Sequence, residues 1–267
     1  MNVLDPYHAH DGVIHRLDPR VKLVLAGAFI LTTSLLPSGA WPIYMLMLAI
    51  AISATLLSEV GLAMVLKRAS LAIPFALAAL PLVFTLQGAP LFTVGVGDAR
   101  LVVTWPGLER FASICLKSYM SVIVAIILAT TTRFSDLLLA MRALRAPRLL
   151  VAVLGLMWRY LFVLTEESQR LLRARASRSG APSTSGQASK AGGTLAWRAR
   201  IAGGMAGSLF VRAFERAERV HAAMIARGYD GEVRAPALPP LTSSQRLALI
   251  AGLTLFAMLL LLSLAFV

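Results

Sequence analysis

Charged residues and cysteine are both scarce in this sequence, and each shortage excludes a class of protein. Charged residues make up 15% of the 267 residues and hydrophobic residues 58%, whereas soluble domains have about 25% charged and about 45–50% apolar residues. One globular core does not need so much apolar surface, so the composition indicates a protein that lies in a lipid bilayer. The only cysteine, Cys115, excludes a disulfide framework and a metal cage of cysteine ligands.

Sequence motifs for catalysis and nucleotide binding are also missing. The glycine-rich stretch 203–207 lacks the lysine and hydroxyl residues with which a phosphate-binding loop holds a nucleotide. Neither a G-x-S-x-G turn nor an H-E-x-x-H helix is present. We therefore expect no catalytic residues, no bound cofactor and no ATP hydrolysis in this chain.

Three histidines and an aspartate lie close together near the N-terminus: His8, His10, Asp11 and His15. Imidazole and carboxylate groups suit several transition metals, so this spacing permits weak metal binding. An ordinary polar segment explains these residues more simply, and we assign no metal ligands. The same segment lacks the apolar core of a cleavable signal peptide.

Long apolar runs predict five membrane-spanning helices, since crossing a bilayer takes about 20 mostly apolar residues, with about 17–25 tolerated. The runs are 21–36, 41–57, 71–86, 108–131 and 247–267. Pro74 and Pro81 in the third run are expected to kink that helix. The stretch 87–106 contains β-like runs that suggest a short hairpin or a loop.

The apolar run 149–164 is ambiguous, because it is only 16 residues long and contains Arg159. With a cytoplasmic N-terminus, the first four spans return the chain to the cytoplasm after Thr131. If 149–164 also crossed, 13 lysine and arginine residues between 170 and 246 would be exported, against the positive-inside rule. We therefore predict that this run does not cross the membrane.

The predicted protein is an all-α integral membrane protein in four parts. These are a cytoplasmic segment (1–20), a four-span region (21–131), a cytoplasmic helical insert (132–246) and a final span (247–267). Within the insert we predict the helices 135–145, 148–178 and 195–227, separated after the second by a flexible Gly/Ser-rich linker (179–193). Ser135 and Asp136 are the expected N-cap of the first helix, Pro147 its stop, and Gly228 the C-cap residue of the third.

Two features of the helices have more than one interpretation. The third insert helix carries an apolar stripe. Three uses of this stripe fit the sequence: packing on the second helix, lying on a bilayer, or docking into a partner. Its members are Leu209, Phe210, Phe214, Ala217, Val220 and Met224. Lys117 is the one charge well inside a predicted span, and snorkelling to the interface explains it at least as well as a transport role does.

Three short segments carry a family resemblance. His15–Leu23 (HRLDPRVKL) stands at the start of the first span, Ser177-Arg178-Ser179 follows a basic helix, and Ala226-Arg227-Gly228-Tyr229 ends another. Over its whole length the chain resembles the transmembrane T component of energy-coupling factor (ECF) transporters, which are ABC-type importers of vitamins and metal ions. The segments 158–170 and 218–224 are similar to the cobalt and nickel branch, the CbiQ-type proteins.

The resemblance implies roles for particular residues. Arg178 and Arg227 would each dock in a groove of one ATPase subunit, and their motif neighbours are Ser177, Ser179, Ala226 and Gly228. Ser179 departs from the family pattern, which usually has glycine there. Arg175 lies three residues before Arg178 in a similar Ala-Arg-Ala setting and is the alternative docking residue.

The resemblance also implies partners and a location. The expected partners are two ATP-binding-cassette ATPase subunits, which hold ATP and Mg²⁺, and a substrate-binding membrane subunit (CbiM-like). It also allows a small accessory membrane subunit. The expected cargo is Co²⁺, or else Ni²⁺ or a vitamin, and the expected location is a bacterial inner membrane, with no nucleic acid bound.

Two functions of other classes remain as alternatives. A self-contained metal or proton-coupled carrier would need ionisable groups along its spans, and the sequence shows no row of Asp, Glu or His there. Basic helices that bind anionic lipid or nucleic acid would bind by charge count rather than through two particular arginines.

Overall fold

The computed structural model describes residues 12, 14–72, 74, 77–86, 90–96, 99–178, 194–231 and 238–265. Contacts divide the chain into two compact units. We call Met1–Leu144 with Ala237–Val267 the membrane unit, and Arg145–Pro236 the insert unit.

Helices make up most of both units. The membrane unit contains α1 (Pro19–Leu35), α2 (Trp41–Leu57), α3 (Leu62–Ala69), a 3₁₀ turn (Ser70–Ala72), α4 (Leu82–Thr85), β1 (Pro90–Val96), β2 (Ala99–Thr104), α5 (Trp105–Thr131), α6 (Phe134–Ala143) and α9 (Ser243–Ala265). The insert unit contains α7 (Arg148–Arg178) and α8 (Leu195–Ala226). The helical fold class is confirmed. The hairpin suggested between the third and fourth spans is present as the antiparallel pair β1–β2.

Several helices have the length and surface of membrane spans. By length and composition α5, α7 and α9 are all long and apolar enough to cross, while α1 and α2 have 17 residues each. The outer surface of α9 is apolar, with Leu247 72% and Leu261 68% exposed, as expected for side chains in lipid. Since the length and composition of α7 would allow it to cross a membrane, the prediction that α7 stays cytoplasmic depends on the distribution of basic residues.

The predicted spans other than the third agree with the structure to within four residues. α2 has the predicted bounds, whereas α1, α5 and α9 begin two, three and four residues earlier than expected. A proline lies in the first turn of α1, α2 and α5. Proline suits that position because the first helical N–H groups have no intrahelical acceptor.

The third predicted span, 71–86, is not a single helix. The chain forms α3 and the 3₁₀ turn, Pro74 and Leu77 are helical, and residues 78–81 form a turn before α4 begins at Leu82. Pro81 ends that turn and cannot continue a preceding helix, because proline lacks an amide donor and its ring clashes with the preceding helical turn. Residues 73, 75 and 76 of this span lie outside the described residues. The expected kink is therefore a break.

The predicted cap of the first insert helix is wrong. α6 begins at Phe134 with Arg133 as its N-cap residue, so Ser135 and Asp136 lie inside the first turn. Asp136 is still favourable there, because a carboxylate near a helix N-terminus interacts well with the helix dipole. After α6 ends at Ala143, the Pro147 carbonyl accepts the first backbone hydrogen bond of α7, from Val151 N at 3.2 Å.

The core of the membrane unit surrounds α1, which packs against α5, α6 and α9. Phe29 of α1 meets Phe256 of α9 edge to face, with ring centroids 5.7 Å apart. Met47 of α2 and Met120 of α5 are fully buried in the same core. Because lipid tails are as apolar as these side chains, close packing rather than water exclusion is what favours their association in a bilayer.

Two lysines join α1 and α5 at both ends. Lys22, in the first turn of α1, donates from Nζ to the carbonyl of Thr131, the last residue of α5, at 3.0 Å. Lys117 of α5 donates in turn to the carbonyl of Leu36, the C-cap residue of α1. The two helices are therefore antiparallel, and each receives a cation at its carbonyl end, where the helix dipole is negative. Lys117 is thus a helix-capping residue rather than a snorkelling one.

Gly107 in the first turn of α5 offers a test of the packing against α4. A Cβ atom there would lie 2.8 Å from Val83 O and 2.9 Å from Leu82 O, whereas one at Gly27 of α1 would meet no atom within 4 Å. We expect Gly107→Ala to lower the free energy of unfolding by about 1–3 kcal/mol, because backbone carbonyls cannot rotate away. Gly27→Ala should leave stability unchanged or raise it slightly.

Thermal unfolding of wild type and both variants in one detergent checks this prediction. An equal loss of stability in the two variants, or no loss of stability in Gly107→Ala, would contradict the contact between α4 and the start of α5.

Candidate functional site

Two long helices carry the predicted docking arginines. α7 and α8 have 31 and 32 residues, which corresponds to about 46–48 Å each at 1.5 Å per residue. The bounds of α7 are those predicted, and α8 ends one residue before the predicted Arg227. The linker 179–193 between them lies outside the described residues, and Ser179 lies there with it.

Glu167 of α7 links the two helices. Its Oε1 lies 3.3 Å from the guanidinium of Arg212, and its Oε2 lies 3.5 Å from that of Arg216, one turn further along α8. The Glu167 side chain is only 19% exposed, so these ion pairs are less screened by water than ordinary surface pairs. The neighbouring Glu166 differs, since within the described part of the chain its ion pair is with Arg170 of the same helix at 3.6 Å and both side chains are more than 70% exposed.

Arg175 and Arg178 have different surroundings near the end of α7. The guanidinium of Arg175 lies 5.8 Å from the centre of the Trp197 ring of α8, a cation–π distance. Arg178 is the last residue of α7, is exposed, and has no side-chain partner among the described residues. Ser177 bonds back to the carbonyl of Ala174 within the helix. Arg175 therefore contacts α8, whereas Arg178 is exposed at the end of α7.

A Schellman turn holds Arg227 at the end of α8. Gly228 has φ of +78°, Gly228 N donates to Ile225 O at 2.9 Å, and Tyr229 N donates to Met224 O at 3.0 Å. The predicted C-cap role of Gly228 is confirmed, because this left-handed conformation is favourable only for glycine. Arg227 is exposed and is the C-cap residue, so the turn fixes the direction in which it leaves the helix.

The apolar stripe predicted on α8 is divided between two faces. One face repeats every three or four residues and is half-buried; its members are Ile201, Met205, Leu209, Ala213, Arg216, Val220 and Met224. Phe210 and Phe214, which we expected in the same stripe, are 70% and 58% exposed. Each follows a member of the half-buried face by one position, which turns it about 100° around the helix. The exposed phenylalanines form a separate apolar surface.

Metal-binding groups do not converge within the part of the chain that the structure describes. No group of three or more His, Cys, Asp or Glu side chains close enough to hold an ion occurs there. His8, His10 and Asp11 lie outside the described residues. The two helices of the insert unit present several exposed arginines, and Arg178 and Arg227 lie at the helix ends. Such a surface suits binding to another protein.

Sequence reasoning missed the partners of Glu167. The pairing of Glu166 with Arg170 follows from their spacing of four residues. Glu167 instead reaches Arg212 and Arg216, which lie 45 and 49 positions away. The one available signal was a pair of arginines four residues apart on a helix expected to pack beside α7.

Glu167→Gln should loosen the contact between α7 and α8, whereas Glu166→Gln should not. Removing the carboxylate charge from a partly buried double ion pair should weaken it by about 1 kcal/mol, or about fivefold in local opening. Hydrogen–deuterium exchange of the purified chain should show faster exchange around Arg212 and Arg216 only in Glu167→Gln. Identical exchange in the two variants would mean that the ion pairs of Glu167 do not hold the helices together.

Comparison with known proteins identifies relatives over most of the chain. A family model described as a cobalt transport protein, CbiQ, matches residues 10–237. The energy-coupling factor transporter transmembrane protein EcfT of Listeria innocua is 29% identical over 239 residues, covering 86% of this chain and 85% of that protein. The cobalt transport protein CbiQ of Rhodobacter capsulatus is 29% identical over 165 residues, covering 62% and 63%.

A more similar but shorter match is archaeal. An uncharacterized protein of Methanocaldococcus jannaschii is 34% identical over 107 residues, covering 40% of this chain and 36% of that protein. The chain therefore spans little more than a third of that relative but most of the Listeria protein. The family match covers the first four predicted spans and both long helices of the insert unit, on which Arg178 and Arg227 lie, and it ends before α9. This chain belongs to the CbiQ family of cobalt transport proteins and is a multi-pass membrane component of that transporter family.

Proposed function

We propose that this chain is the energy-coupling subunit of an ATP-driven importer. It would pass the motion of two ATPase subunits to a separate substrate-binding membrane subunit. The observation that carries this proposal is the placement of Arg178 and Arg227. Both are exposed at the ends of long helices, and the Glu167–Arg216 ion pair joins those helices at 3.5 Å.

On each helix the segment between the ion pair and the docking arginine has the same length; we call these two segments the arms. Arg178 lies 11 residues beyond Glu167 on α7, and Arg227 lies 11 residues beyond Arg216 at the end of α8, or about 16–17 Å along each helix. If each arginine is held by one ATPase subunit, approach of the ATPases on binding ATP moves both arms about their common ion pair. Helices transmit such a displacement because their backbone hydrogen bonds keep them stiff.

A guanidinium group is well suited to this kind of docking. It stays charged, and its planar set of five donors can hold a carboxylate or several carbonyls in a fixed direction. We assign the α7 docking role to Arg178 rather than Arg175, because Arg175 is engaged with Trp197. The exposed Phe210 and Phe214 provide apolar surface for a partner in the same assembly.

Co²⁺ is the cargo we propose. The family description and the printed name of the Rhodobacter relative both refer to cobalt transport. Since three or more metal-ligating side chains do not converge in the described part of this chain, capture of the ion falls to the separate substrate-binding subunit. Nickel or a vitamin would use the same coupling helices with a different capture subunit.

The proposal requires the insert unit to lie on the cytoplasmic side, where ATP is available. Ser38, in the turn between α1 and α2, and Ser208 of α8 are both exposed. In a Cys115→Ala background, we expect Ser38→Cys to react with a membrane-impermeant maleimide only in right-side-out vesicles. Ser208→Cys should react only in inside-out vesicles, because α7 does not cross. Labelling of both cysteines from the same side would show that α7 crosses the membrane and would contradict the proposed topology.

Charge reversal at the docking arginines tests the coupling role. We expect Arg178→Glu and Arg227→Glu each to reduce recovery of ATPase subunits with the tagged chain by at least about tenfold, because each leaves a carboxylate facing the arginine's binding groove. Mass spectrometry of complexes purified from membranes measures the recovery.

Arg170→Glu and Arg219→Glu are the matched controls. Both arginines lie on the same two helices, are more than 70% exposed and have only an intrahelical ion pair among the described residues. Recovery of ATPase subunits should be close to the wild-type level in these two controls. Arg175→Glu should reduce this recovery less than Arg178→Glu does. A similar loss in every variant would indicate binding by net charge, and no loss in Arg178→Glu and Arg227→Glu would contradict the proposal.

A further inference from the structure

Two segments of the membrane unit, one on the way to the insert unit and one on the way back, are bonded to the same helical turn. The first is Thr131 at the end of α5, whose carbonyl accepts from Lys22 Nζ at 3.0 Å and from which the chain continues through α6 to the insert unit. The second is Pro239, just before α9, whose carbonyl accepts from the Arg20 guanidinium at 3.0 Å. Arg20 and Lys22 are two residues apart at the start of α1. We call Asp18, Arg20 and Lys22 the α1 anchor.

Asp18 orients the anchor. Its carboxylate accepts a hydrogen bond from Arg20 N at 2.8 Å, which caps α1, and it lies 3.7 Å from Arg20 Nε. Both side chains are largely buried, with 10% and 17% of their surfaces exposed. The carboxylate thus caps the backbone at Arg20 and attracts its guanidinium at longer range, since Arg20 Nε is buried without a hydrogen-bond partner among the described residues. The outer nitrogen of the same guanidinium donates to Pro239.

Two hydrogen bonds position Lys22, the second cation of the α1 anchor. Lys22 is 8% exposed, and its Nζ also donates to the His15 carbonyl at 3.2 Å. A cavity of about 200 Å³ adjoins it, lined in part by Leu17, Phe256 and Thr131 itself. The lysine therefore adds a directional contact to the packing of α5 on α1.

We propose that Arg20 and Lys22 are positioning residues that fasten both ends of the insert to α1. Movement of the insert then displaces α1 instead of being taken up by the connecting segments. This inference rests on the coupling function proposed above. It gives the His15–Leu23 segment a physical role that neither the docking arginines nor the capture subunit supplies.

The test compares Arg20→Met and Lys22→Met with matched controls in the reconstituted complex of the full chain with its ATPase and substrate-binding subunits. Arg16→Met removes the same positive charge from the same segment, and Lys67→Met removes an exposed lysine from α3. ATP hydrolysis and Co²⁺ uptake are measured on the same proteoliposomes.

We expect the anchor variants to assemble and hydrolyse ATP as wild type does, while Co²⁺ taken up per ATP falls by about threefold to tenfold. The two controls should keep the wild-type ratio. Arg20→Lys retains a donor and should restore part of the loss, which a purely structural defect would not allow. An unchanged ratio in both anchor variants, or a fall of assembly and hydrolysis together with uptake, would overturn the inference.

Hydrogen–deuterium exchange of the isolated chain tests this inference independently of the coupling function. If wild type recovers no ATPase subunits, the coupling function fails, and with it the transport role of the anchor. Hydrogen–deuterium exchange still reports on the contacts themselves. Arg20→Met should speed exchange of residues 241–246, and Lys22→Met should speed exchange of residues 132–137. Unchanged exchange in both segments would show that the anchor fastens neither end of the insert.

Discussion

Two lysines that each cap the other's helix determine the arrangement of the membrane unit. Carbonyl groups at a helix end cannot be left without donors in lipid, and neither can a charged ammonium be left without acceptors. Lys22 with Thr131, and Lys117 with Leu36, satisfy both requirements at once. Fourteen residues separate Lys22 from Leu36 in α1, and 14 separate Lys117 from Thr131 in α5. The two helices therefore match over about 21 Å, and their register is fixed at both ends.

The segments that lead to the insert and back are both bonded to the first turn of α1, where Lys22 lies. Thr131, the acceptor of Lys22, is the last residue of α5 before the chain turns into α6, and Pro239 on the returning side is bonded to Arg20 two residues before Lys22. Within the insert unit, Glu167 plays the corresponding part by joining α7 to α8. In both units a few charged side chains link long helices at defined points. Such an arrangement favours movement of whole helices over local deformation.

Much of the fold could be predicted from local sequence signals, and the rest depends on contacts distant in sequence. α2 and α7 have the predicted bounds because Trp41-Pro42 opens one, and Pro147 and the Gly/Ser-rich linker flank the other. The sequence predicts a kinked helix at Pro74 and Pro81, whereas the structure has a break over residues 78–81, since a sequence does not show whether neighbours can satisfy the freed carbonyls. The predicted apolar stripe of α8 included Phe210 and Phe214, which are apolar but lie one position outside the half-buried row. Arg178 and Arg227 came from the family motifs, whereas the partners of Glu167, Lys22 and Lys117 required the structure.

The central claim is that this chain couples ATP hydrolysis to import and does not itself carry the ion. The most direct measurement is Co²⁺ uptake into proteoliposomes that contain either the chain alone or the chain with its ATPase and substrate-binding subunits. The chain alone should take up no Co²⁺ under a proton gradient or a membrane potential, and the full complex should take it up only when ATP is supplied. Uptake by the chain alone, driven by either gradient, would contradict the account and identify a self-contained carrier.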